Sequence, residues 1–237
     1  MLGRSKIAAF VAEFLGTGTL TLVVYTIVAR TSFPLFSAIA AGTVVAMFTV
    51  AMENVSGANL NPAITFGLWT IRKLSTVRAI VYIIAQALGG LAAWSLLKYF
   101  LGHNLTSVAG ASFEWKVFVA EALGGMIFAL GFAAAVVQRF QGGKLAATIG
   151  LSLTAGILVA SLASNGVLNP AVAVGIQSWS WAYATAPLAG ALVGMNVYGM
   201  LFSEVPINVA ARRGAKVRST PVVKARTTTK KKTTRKK

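Results

Sequence analysis

The chain has 237 residues, of which 56% are hydrophobic and 11% charged, with a mean hydropathy of +0.73 and a formal net charge of +17. Soluble domains carry about 25% charged residues, so this composition excludes a water-soluble globular fold and implies a chain that crosses a bilayer several times. With no cysteine and a single histidine, His103, it also excludes disulfides, thiolate metal sites and a histidine cluster.

Residues 1–6 resemble the basic start of a signal peptide, but the apolar run that follows continues to residue 29 and contains Glu13. A signal peptide's apolar region is about 7–15 residues long, so 7–29 reads as a retained first span. Further spans are predicted at 35–52, 79–100, 117–137, 145–163 and 181–202. Each is close to the roughly 20 residues that cross a hydrocarbon core. Two apolar stretches, 61–71 and 169–179, are only half that length, and each opens with Asn-Pro. Asn caps a helix start, and Pro fits the first turn, where its missing N–H does no harm. Such segments read as re-entrant half-helices, and irregular backbone at membrane depth is tolerated only inside protein or against a water-filled cavity. The two half-helices are expected to line a pore.

The chain is internally duplicated. Asn61-Pro62-Ala63 recurs as Asn169-Pro170-Ala171, and Phe10-Val11-Ala12-Glu13 recurs as Phe118-Val119-Ala120-Glu121, both at an offset of 108 positions. One offset shared by two unrelated motifs marks a repeat, here approximately 7–100 and 115–203. With three spans per half the repeats must be inverted, so the half-helices come in from opposite faces and meet near the midplane. Arg4, Lys6, Arg72, Lys73, Arg78, Arg139, Lys144 and the tail fall on one side of this six-span arrangement. That bias places both termini in the cytoplasm. The expected fold is thus an all-α membrane protein of six spans plus two half-helices, with a channel domain at 1–203.

Two helix N-termini aimed at one spot concentrate partial positive charge, about half an elementary charge each. The amides of Asn61 and Asn169 add N–H donors there. Such a spot repels cations and favours the oxygen of a neutral solute. The plainer alternative is that each Asn only caps its helix, which a duplicated, inverted motif disfavours. Glu13 and Glu121 are each the sole acid of their span. Intramembrane carboxylates are costly and usually functional, so a proton relay is one reading. Support of the loops through backbone N–H groups is the favoured one, since no His or Asp accompanies them. Glu53, at the end of the second span, is read as a solvated vestibule carboxylate, with cation attraction as the alternative. The small residues Gly89-Gly90, Gly124-Gly125, Gly190 and Gly194 are read as packing positions. Trp179, Trp181 and Tyr183 are assigned to an interfacial belt.

These residues resemble the aquaporin, or major intrinsic protein, family. The resemblance spans about residues 7–203 and rests on the paired Asn-Pro-Ala loops, the Ala-Glu of spans one and four, Gln86 with Gly89, and Pro187 with Gly190. It implies an hourglass channel with one pore per subunit, a homotetramer in the lipid bilayer, and passage of water or small neutral solutes. It also implies an outer selectivity filter at Ala41, Ile157, Gly166 and Val172. Members usually carry Arg at the position of Val172, and water-selective ones an aromatic and a histidine at those of Ala41 and Ile157. The loop position that often holds histidine is Asn59, and the Asp of many glycerol-conducting members is replaced by Ala173. An outer mouth made of Ala41, Gly166 and Val172 is wider and more apolar. Width admits larger solutes, while an apolar ring resists wetting.

Twelve of the 22 basic residues lie at 212–237, a stretch without an acid. A tail at 204–237 of this composition is expected to be disordered and to associate with anionic lipid rather than with a specific nucleic acid. No enzyme constellation, metal site or cofactor site is expected. The reading is a passive channel in the plasma membrane with relaxed selectivity. The alternatives are a facilitator of larger neutral solutes of the glycerol, ammonia or metalloid type, a proton-coupled transporter, and a closed, structural membrane protein.

Overall fold

The computed structural model describes residues 4–109 and 112–202. The basic tail and the end of the expected channel domain at residue 203 lie outside the described residues. Among them the secondary structure is helical: α1 Arg4–Val28, α2 Pro34–Met52, α3 Pro62–Thr70, α4 Thr76–Leu101, α5 Trp115–Val137, α6 Gly142–Ala160, α7 Pro170–Gly175 and α8 Trp181–Leu201. Six of these, all but α3 and α7, are long and apolar enough to cross a membrane.

The packing repeats itself. In the first repeat α1 packs on α4 and α2, and in the second α5 packs on α8 and α6. The two halves join where α2 crosses α6, and at that crossing Gly42 faces Gly150, its counterpart at the same 108-residue offset. A Cβ on either glycine would stand 2.6 Å from the other's carbonyl oxygen, so this approach between the repeats requires both. The half-helices are exchanged: α3 packs against α8 of the second repeat, α7 against α4 of the first, and their ends touch. A methyl at Gly89 would fall on the Phe14 carbonyl, and one at Gly190 on that of Ala122. The pairs α1–α4 and α5–α8 are therefore in backbone contact.

The half-helices are shorter than the sequence suggests, above all α7, which ends at Gly175 rather than near residue 179. Both close with a left-handed residue, Arg72 at φ 58° after α3 and Gln177 at φ 60° after α7. The next N–H then reaches back to the helix: Lys73 to the Leu68 carbonyl at 2.9 Å and Ser178 to that of Ala173 at 2.8 Å. Such Schellman closures are normally announced by glycine. Here Arg and Gln take that place, so the sequence carries no stop signal. Tyr183 also departs from expectation. It is buried, and its hydroxyl accepts a hydrogen bond from the Asn165 N–H at 2.9 Å, so it belongs to the loop before α7 and not to an interfacial belt.

Candidate pore site

Each half-helix starts in the way its Asn-Pro dictates. Asn61 and Asn169 have extended backbones, and Pro62 and Pro170 open the helices. Asn61 Oδ1 accepts from the Ala63 N–H at 2.8 Å, and Asn169 Oδ1 from those of Ala171 at 3.1 Å and Val172 at 3.3 Å. With the oxygen so occupied, the amide nitrogens cross between the repeats. Asn61 Nδ2 donates to the Leu168 carbonyl and Asn169 Nδ2 to the Leu60 carbonyl, both at 2.8 Å. An amide has two N–H groups, so each asparagine caps its helix, ties the opposite loop and still has a hydrogen to offer.

The loops that deliver these asparagines turn alike. Ala58 and Leu60 have φ of 51°, and their counterparts Gly166 and Leu168 have 63° and 53°. Left-handed non-glycine residues need an external hold. In the first loop Glu13 provides it, accepting from the N–H groups of Asn59 at 3.0 Å and Leu60 at 2.7 Å. In the second, Glu121 accepts from Val167 at 2.9 Å and Leu168 at 2.7 Å. A serine hydroxyl adds to each, Ser56 at Glu13 and Ser164 at Glu121, the latter at 2.7 Å, and Glu13 alone takes a further bond from Gln86 Nε2 at 2.7 Å. Gln86 also reaches the Thr65 hydroxyl at 2.9 Å, and Asn59 Nδ2 reaches that hydroxyl at 3.3 Å. Both carboxylates are fully buried. Glu53 is engaged as well, accepting from the Gly142 N–H at 3.0 Å and so joining the end of α2 to the start of α6.

A single cavity of about 550 Å³ runs from residues 31–34, at one end of the bundle, to both asparagines. Its walls are stripes of every fourth residue: Leu20, Val24 and Val28 on α1, Ser37, Ala41 and Val45 on α2, and Leu153 and Ile157 on α6 with Ser161 capping its end. Val172 and Ile176 continue it along α7, and Gly166 and Val167 along the loop before it. Leu20 and Phe128 are equivalent in the two repeats, and both line it. All four expected filter positions, Ala41, Ile157, Gly166 and Val172, thus share one lumen with Asn61 and Asn169. Pro62, Ala63, Pro170 and Ala171 form the first helical turns behind it, and Glu13 and Glu121 stand outside its lining. Every lining residue is uncharged. Among the described residues no group of His, Asp and Glu is placed to hold a metal ion.

Sequence reasoning named the asparagines and the carboxylates but missed Ser164, Thr65 and Tyr25. The first was legible as the counterpart of Ser56, at the same offset. The other two carry no local signal and required the packing of α1, α3 and α4.

Six spans, two half-helices exchanged between inverted repeats and an uncharged lumen ending on their capped N-termini define a membrane channel. The sequence profile of the major intrinsic protein family matches residues 3–202. Aquaporin TIP2-1 of Arabidopsis thaliana is 34% identical over 183 residues, covering 72% of this chain and 69% of that one. Aquaporin Z of Photorhabdus laumondii is 30% identical over 189 residues, covering 70% of this chain and 82% of its own. In fold, the X-ray structure of the aquaglyceroporin from Plasmodium falciparum is similar with a TM-score of 0.70 at 21% identity, covering 83% of this chain and 96% of that one. The chain belongs to the major intrinsic protein family and is a channel, not an enzyme.

Proposed function

We propose that this protein is a passive channel for water and small neutral solutes, with selectivity relaxed at an apolar outer ring of Ala41, Ile157, Gly166 and Val172. One observation carries the reading: those four positions and both loop asparagines line the same uncharged cavity. An ion leaving water for such a lumen finds no compensating charge, whereas a neutral solute meets the asparagine amides. Without a cation at Val172, rejection of protons and cations rests on the dipoles of α3 and α7 and on Asn61 and Asn169. A proton-coupled carrier would need a titratable group facing the lumen. Glu13 and Glu121 are instead committed to loop N–H groups, and Glu53 to the start of α6.

The channel domain occupies 1–203 and sits in the plasma membrane as a homotetramer, both termini in the cytoplasm, with the tail at 204–237 on anionic lipid. The family resemblance supports the tetramer, and the one-sided distribution of Arg4, Arg72, Lys73, Arg78, Arg139 and Lys144 supports the orientation. The chain has no cysteine, so a single one introduced at His103 can be labelled alone. An impermeant maleimide is expected to reach it from outside intact cells.

The primary test is stopped-flow light scattering on proteoliposomes challenged with an impermeant osmolyte, repeated with urea and glycerol. Shrinkage well above protein-free vesicles at low activation energy supports the channel. Rates equal to protein-free vesicles for all three solutes, with insertion verified, overturn it.

A further inference from the structure

We propose that Tyr25 is a solute-contacting residue of this pore: its hydroxyl is a side-chain donor that wets the apolar outer lumen and meets the solute there. The inference rests on the channel reading above. It starts from a deficit, because Ala41, Ile157, Gly166 and Val172 offer no side-chain hydrogen-bond donor. An apolar constriction with no donor expels water.

Between the mouth and the asparagines, the serines of the wall have their hydrogens occupied. The Ser161 hydroxyl donates to the Ile157 carbonyl at 2.7 Å, and Ser37 to the Pro34 carbonyl at 2.9 Å. Ser164 is held by Glu121. Tyr25 differs. It lines the cavity beside Val24 and Val28, half-buried and packed on the core by its ring. Tyr82, Tyr183 and Tyr198 all have hydroxyls bonded within the protein. Among the described residues the Tyr25 hydroxyl has no such partner. It is not sealed in the core either, since the one buried, unpartnered side-chain oxygen or nitrogen among them is the Thr17 hydroxyl. A polar tip on an apolar ring, open to space and lining a cavity, is available to bond what passes through.

Its height suits the role. Gly16 of α1 abuts Leu60 beside the first asparagine. Tyr25 lies nine residues further along, about 13 Å at 1.5 Å per residue, towards the mouth formed by residues 31–34. A solute meets it before it reaches the asparagines.

Tyr25→Phe removes the hydroxyl and keeps the ring. The test compares wild type and Y25F in proteoliposomes at equal protein density, for water, urea and glycerol, together with thermal unfolding in detergent. The expected result is a fall of about three- to tenfold in the permeability of every solute that wild type conducts, the size of one hydrogen bond, with an unchanged melting temperature. Conducting wild type with Y25F permeabilities within a factor of 1.5 overturns the proposal alone. So does a Y25F melting temperature lowered by several degrees, which would place the hydroxyl inside the fold. Wild type indistinguishable from protein-free vesicles overturns it together with the channel reading.

Discussion

Asn61 and Asn169 are each bound to the backbone of the other's loop: Asn61 Nδ2 to the carbonyl of Leu168, and Asn169 Nδ2 to that of Leu60, both at 2.8 Å. This reciprocal pair is the junction of the two repeats at the lumen. It fixes the half-helix N-termini relative to each other and aims each remaining amide hydrogen.

The junction separates two roles that a single substitution conflates. Asn61→Asp keeps the acceptor for the Ala63 N–H but has no donor for Leu168, whose buried carbonyl is then unpaired. Leaving a buried group unsatisfied costs about 1–3 kcal/mol. The variant is expected to melt several degrees lower and, with a carboxylate in the lumen, to leak monovalent cations. Melting in detergent and a cation-flux assay read the two effects separately. An unaltered melting point would show that the crossed bond does not hold the loops.

Glu13 and Glu121 give a second discrimination. Each carboxylate takes two loop N–H groups, so Glu121→Gln turns one acceptor into an N–H₂ facing the Val167 or Leu168 donor. Loss of a charge-assisted bond and the new donor–donor contact cost about 2–4 kcal/mol together. Poor insertion and a lower melting temperature are expected for Glu121→Gln, and likewise for Glu13→Gln. Were these groups proton carriers instead, the variants would fold normally and lose only pH-driven flux. Size-exclusion yield, melting temperature and pH-jump flux distinguish the two.

Much of this architecture is legible in the chain because duplication leaves a fixed interval. The 108-residue offset ties Glu13 to Glu121 and Asn61 to Asn169, and it also ties Gly42 to Gly150 at the crossing of the repeats. Span ends were readable to within a few residues, since apolar length sets them. The end of α7 was not, because its closing residue is Gln177, where a glycine would have announced the stop. Tyr183 reads as interfacial from its neighbours Trp179 and Trp181, yet helix rotation turns it inward onto Asn165. Tyr25 has no counterpart signal in the second repeat, where Ala133 occupies its place. The lumen wall depends on which face α1 presents, and a span apolar all round does not specify that.

Gly166 and Ala58 hold the same place in the two loops, both left-handed. A Cβ on Gly166 would stand 2.6 Å from the Ser161 hydroxyl and 3.0 Å from the Ile157 carbonyl, in addition to the cost of a positive φ. Gly166→Ala is expected to cost about 1–3 kcal/mol and to narrow the ring. At Ala58, which is fully buried, mutation to glycine relieves strain but deletes a packed methyl, so Ala58→Gly is expected to be near neutral. Paired melting curves check this asymmetry, and equal effects at the two sites would contradict it.

Val172 tests what the outer ring does. It is buried at 2% exposure in the first turn of α7 and lines the same lumen as Ala41 and Gly166, so a longer side chain has the cavity to extend into. Val172→Arg places a permanent cation and five N–H donors in a ring that has no charge. Two opposing effects follow. The guanidinium narrows the passage, which penalises glycerol most, and it supplies hydrogen bonds that help water shed its shell. It also adds a positive barrier in series with the dipoles of α3 and α7. The expected outcome is a glycerol-to-water permeability ratio at least fivefold below wild type, with water permeability equal or higher. Proton leak under an imposed pH gradient should fall in the same vesicles. If the ratio and the leak are both unmoved, the narrow point of this pore lies elsewhere, and the apolar ring does not set its selectivity.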